Sequence, residues 1–126
     1  MLSRQTNRFS LTLINGKYFF VEVKNDVEFE LDDLKELIEF QKELGEGKAL
    51  PVLIYPSPSA TTNSDVLKYM AKSENVPFTK CDAFVLHSIP QKILAKFYTR
   101  LLSPGRPTEF FTRQEEALKW LQNFFE

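Results

Sequence analysis

The sequence holds one cysteine, one histidine, one tryptophan and four glycines in 126 residues. A lone thiol, Cys81, rules out an internal disulfide and suits a reducing compartment. One imidazole and one thiol also fall short of a His/Cys metal cluster. Scarce glycine leaves no Gly-rich phosphate cradle, and neither a Cys-x5-Arg loop nor a Gly-x-Ser-x-Gly elbow occurs. Cys81 and His87 lie on one predicted strand, about 20 Å apart if extended, too far to work as nucleophile and base. No apolar run reaches the roughly 20 residues of a membrane helix, and MLSRQTNRF lacks a secretion signal. The net charge of −1 removes any general pull toward nucleic acid. The expectation is a cytoplasmic protein that is not an enzyme and has no catalytic, cofactor-binding or metal residues.

What is present suffices for one core: at 43% hydrophobic residues, the chain can fold as a single domain, 1–126, without staples. Charge is polarised beneath the neutral total. Residues 26–46 hold nine acids against Lys35 and Lys42, a local balance of −7. Residues 80–106 hold Lys80, Lys92, Lys96, Arg100 and Arg106 against Asp82, a balance of +4. Such poles are solvated helix faces or partner-facing surfaces.

Phe9, Leu11 and Leu13 alternate with Ser10 and Thr12, and Asn15-Gly16 supplies the positive φ angles of a type I′ turn. An antiparallel hairpin over 9–23 follows. Residues 30–47 show helical spacing at Leu31, Leu34, Leu37, Ile38 and Leu44, with Gly45 expected to end the helix in left-handed geometry. LPVLIY (50–55) and DAFVLHS (82–88) read as buried strands. Helices are predicted from Asn63 and from Ser88-x-Pro90. Strand TEFF (108–111) then leads through a Thr112–Glu115 capping box into a terminal helix. The order β-β-α-β-α-β-α-β-α predicts an α/β fold, with a five-stranded mixed, mostly parallel sheet, four helices and an N-terminal β-hairpin.

The stretches 21-VEVKNDVEFELDDLKEL-37, 67-LKYMA-71, 87-HSIPQKILAKFYTRLLSPGRPTEFFT-112 and 115-EEALKWL-121 resemble small bacterial STAS/SEC14-like proteins, a family largely of unknown function. The STAS type members are anti-sigma-factor antagonists. The resemblance implies that scaffold and a regulatory role through protein association. In the antagonists the loop after the third strand carries a phosphorylated serine. Here that loop is PSPSATTNSD, with five Ser/Thr hydroxyls between Ser57 and Ser64. Ser59, Thr61, Thr62 and Ser64 are the positional phospho-acceptor candidates, although the family's glycines are missing. The simpler reading is a turn stiffened by Pro56 and Pro58, with Asn63 as helix cap.

The third helix carries more apolar circumference than one sheet needs. At 100° per residue, Ile89, Pro90, Ile93, Leu94, Phe97, Tyr98, Leu101 and Leu102 sweep about 220°, whereas a covering helix needs little over 100°. Either Trp120, Phe124 and Phe125 of the terminal helix absorb the excess, or a second surface exists. That surface, with Lys92, Lys96, Phe97, Tyr98, Arg100, Leu101 and Leu102, is expected to meet a second copy in a homodimer or another protein partner. The alternative is an anionic membrane or a lipophilic small molecule. His87 is read as a structural residue.

Overall fold

The computed structural model describes residues 2–126. Alternating apolar residues pair the hairpin strands as expected: β2 (Phe9–Ile14) runs antiparallel to β3 (Tyr18–Val23). Asn15 and Gly16 take φ of 51° and 68°, but Ile14 pairs with Tyr18, so the loop is one residue longer than the tightest form. The other strands of the main sheet are β1 (Leu2–Gln5), β5 (Leu50–Pro56), β7 (Thr79–Val85) and β8 (Thr108–Phe111). The spatial order is β1-β2-β3-β5-β7-β8, with parallel pairing from β3 onward. The expected five strands are therefore six. The additional strand, β1, is exposed at every position and pairs at the edge through its backbone, so its side chains carry no alternation to read. A further small parallel pair joins β4 (Glu28–Phe29) to β6 (Thr61–Thr62).

The helices are α1 (Leu31–Leu44), α2 (Ser64–Ala71), α3 (Ile89–Phe97) and α4 (Gln114–Leu121). Strand alternation divides the core. Phe9, Leu11, Phe19, Val21 and Val52 pack beneath Leu34 and Leu37 of α1 and Val66 of α2. Leu53, Cys81, Ala83 and Val85 face Ala117 and Leu121 of α4 on the opposite side. Each fully buried Leu, Val or Phe contributes about 1.5–3 kcal/mol, so both layers are held chiefly by this burial.

Local capping sets where the helices begin. Asn63 Oδ1 accepts from the Val66 amide at 3.1 Å, as its position implied. At α1 the Glu30 amide donates to Asp33 Oδ2 (2.8 Å), and Asp33 is paired with Arg8 (2.9 Å). α4 departs from expectation: its N-cap is Arg113 rather than Thr112, and Arg113 Nε binds Glu115 across the first turn (2.9 Å). Gly45 also departs, with φ of −90°. Glu46 and Gly47 take the left-handed angles instead. Gly45 is needed for room, since a Cβ there would lie 2.9 Å from Phe19 Cζ and 3.0 Å from the Gln41 carbonyl.

Candidate functional site

α3 lies on the same side of the sheet as α1 and α2, opposite α4. Phe84 and Phe110 of the sheet and Leu94 of α3 line a common cavity. The terminal helix therefore cannot absorb the apolar excess of α3. Trp120 packs with Phe124 and with Phe111 on the far face, and Phe125 stacks on Tyr18.

Polar contacts pin α3 at both ends. At the start, Ser88 Oγ accepts from the Gln91 amide at 3.2 Å. The Gln91 side chain is buried, and its Nε2 donates to the Ser57 and Ala60 carbonyls, each at 2.9 Å. Its Oε1 accepts from the His87 amide at 2.7 Å. One glutamine thus ties the helix to the hydroxyl loop and to the end of β7.

At the other end a π-helical turn, Tyr98–Leu102, follows α3. Tyr98 is 1% exposed, and its hydroxyl accepts from Arg106 Nη2 at 2.8 Å. Arg106 also reaches Asp82 Oδ2 (2.7 Å) and the Met70 carbonyl (2.8 Å), while Thr108 Oγ1 donates to Asp82 Oδ1. Burial pushes the Asp82 carboxyl upward, against the pull of Arg106 and Thr108. We read the pair as ionised, because three side-chain donor contacts converge on the carboxylate. Burial, and then Asp82, raise the Tyr98 phenol above its ordinary value. Burial pushes the Cys81 thiol up to about 12, which leaves it protonated and unreactive.

Between its pins α3 roofs a cavity of about 110 Å³. Leu94 and Ala95 form the roof, Ile54, Phe84 and Phe110 the floor, and Val66 of α2 a side wall.

The outer surface of α3 and its following turn carries three of the four large apolar side chains exposed among the described residues. Ile89, Ile93 and Leu101 are 74%, 62% and 71% exposed, beside exposed Lys92, Lys96 and Arg100. Of the residues expected to face outward, Phe97 and Leu102 are half-buried. Tyr98 is a correction: its ring meets Phe84 edge-on, and its hydroxyl serves Arg106, so it faces inward.

The hydroxyl loop is divided among structural tasks. Ser59 is exposed, with its Oγ 2.9 Å from Asn25 Oδ1 and accepting from the Asp26 amide at 2.8 Å. Thr62 donates to the Phe29 carbonyl (2.8 Å), Thr61 is half-buried at the cavity, and Ser64 is exposed at the first turn of α2. The His87 ring packs against Tyr55, with centroids 4.5 Å apart, and its buried Nε2 has no partner among the described residues. No group of three His, Cys, Asp or Glu is placed to hold a metal ion among those residues.

Sequence reasoning missed Gln91, the Arg106–Asp82 pair and the cavity. One signal was available: Asp82 heads the apolar run DAFVLHS, and an Asp drawn into a buried strand requires a buried partner.

The fold is similar to a solved structure of an uncharacterised DUF3478-family protein from Shewanella loihica PV-4 with a SpoIIAA-like fold. The TM-score is 0.61 at 12% identity, covering 96% of this chain and 99% of that one. At that identity the likeness shows the fold alone. No curated protein matches the chain. The family model for a domain of unknown function, DUF7793, matches residues 12–125.

Proposed function

The chain belongs to the DUF7793 family, and on that footing we propose a non-catalytic STAS-type regulatory module that works by protein association, as a cytoplasmic homodimer. One observation carries this reading: Ile89, Ile93 and Leu101, three large apolar side chains, stand in solvent on one helix and its following turn. Clusters of this kind mark contact surfaces. Charge selects the occupant. α1 presents exposed Asp32, Glu36, Glu39 and Glu43 on the same side of the sheet as basic α3. A two-fold axis can then bring α3 of each copy against α1 of the other, an isologous contact satisfied twice.

Sedimentation velocity at low and high salt tests the reading. A dimer that weakens with salt is expected. A monomer at every concentration and salt would overturn it. The acceptor role of Ser59, Thr61, Thr62 or Ser64 has less support, because Asp26 and Glu28 border the loop and would repel a phosphate on Ser59.

A second reading is a lipophilic-ligand or peripheral membrane protein. It is favoured by the apolar cavity beneath α3 and by the mixture of isoleucine with Lys92, Lys96 and Arg100, which suits an anionic lipid surface. Retention on anionic vesicles at low salt would support it.

A further inference from the structure

The walls of the cavity under α3 contain no Asp, Glu, Lys, Arg or His. Their polar side chains are mostly spoken for. The Gln91 amide serves Ser57, Ala60 and His87, the Thr62 hydroxyl serves Phe29, and the Tyr98 hydroxyl serves Arg106. Thr61 is the remaining hydroxyl, half-buried at the margin. An ion placed inside would lose its hydration and find no counter-charge. A hydrocarbon would lose nothing and would gain contacts with rings and methyl groups.

Size narrows the class further. At about 110 Å³, the space is below the roughly 150 Å³ of an engineered apolar cavity that stays dry and binds benzene. One ring, or an alkyl stretch of similar bulk, is therefore the upper limit of what it can hold, and a whole lipid is excluded. The roof is the side nearest solvent: α3 is fixed at its ends by Gln91 and Tyr98, and half-buried Leu94 and Ala95 span the middle.

We propose that this cavity is a binding site for an uncharged apolar group no bulkier than a single six-membered ring. The proposal rests on the second reading above and restricts it, since a charged headgroup is kept outside. Two sources carry this chemistry, a free small hydrocarbon and the end of an acyl chain.

Methyl-resolved NMR of the full chain provides the test, with benzene, benzoate and neutral phosphatidylcholine vesicles as separate probes. Benzene is expected to give saturable shifts at Val66, Leu67 and Leu94, with Leu53 and Val85 on the far face unmoved. Benzoate is expected to bind at least about ten-fold more weakly, because its carboxylate has no partner in the cavity. Ala95→Leu fills the space from the roof and should abolish the benzene shifts. If that variant fails to fold, the wild-type titration still decides. Benzene shifts without a vesicle response support the site and assign it to a free molecule. The same methyl groups responding to vesicles as well support it and assign it to a chain end. No saturable benzene shift, shifts on both faces alike, or benzoate binding as tightly as benzene would each overturn the proposal. Vesicle pelleting is read separately, so loss of membrane association and loss of the cavity site are distinguishable.

Discussion

Gln91 is the residue on which the placement of α3 depends most. Replacing it with alanine removes one acceptor and two donor contacts, leaving the Ala60 carbonyl and the His87 amide without their partner, while the Ser57 carbonyl keeps the Ala60 amide at 2.8 Å. Ser57, Ala60 and Gln91 are 6%, 1% and 5% exposed, so little water reaches the gap. At about 1–3 kcal/mol for each buried unpaired group, with some recovery by an entering water, Gln91→Ala should cost about 2–4 kcal/mol. With a urea slope of about 1–3 kcal/mol per M, the midpoint falls by roughly 1–2 M. Gln91→Glu sharpens the test. It keeps the acceptor for His87 but turns a carboxylate toward two carbonyls, so at neutral pH it should be at least as damaging. Amide hydrogen exchange should accelerate in α3 before α4. Unfolding free energies within about 0.5 kcal/mol of wild type for both variants would refute the pinning argument.

The buried pair at the other end gives a second expectation. Arg106→Ala strands the Asp82 carboxylate, 0% exposed, and should cost about 3–5 kcal/mol by thermal or urea unfolding; a loss under about 1 kcal/mol would place the pair among solvent-screened surface bridges. Alkaline titration gives a third. The Cys81 thiol moves from 9.0 to about 12 on folding, so the unfolded chain releases that proton first. Its contribution to stability is complete below pH 9 and is lost as pH rises toward about 12, and burial of Tyr18 and Tyr98 acts in the same direction. Urea midpoints should fall across this window, and a flat profile would contradict the assignment.

The hairpin was legible because Asn15-Gly16 and alternating Phe9, Leu11 and Leu13 are local signals; the strands follow them, and only the loop is longer than the expected turn, since Ile14 pairs with Tyr18. β1 was not legible: LSRQ is exposed throughout and pairs only through its backbone. At α3, periodicity showed a surplus of apolar surface but not its direction. Gln91, a polar residue on that helix, is the one buried within it, because the glutamine reaches two loop carbonyls that have no other side-chain donor. Tyr98 was placed outside for the same reason: a wheel shows the angle of a side chain and cannot show that Arg106, eight residues on, waits inside. The cavity arises from spacing between layers, which no one-dimensional pattern encodes.

The outer face of α3 as the self-association surface is tested most directly by exchanging charges and mixing. One variant carries Lys92→Glu, Lys96→Glu and Arg100→Glu; the other carries Glu36→Lys, Glu39→Lys and Glu43→Lys. Alone, each should sediment as a monomer at concentrations where wild type is a dimer, because like charges then face each other at both contacts. Mixed, they should form a heterodimer, with both contacts complementary. Variants that dimerise alone, or a mixture that stays monomeric, would contradict the α1-to-α3 contact.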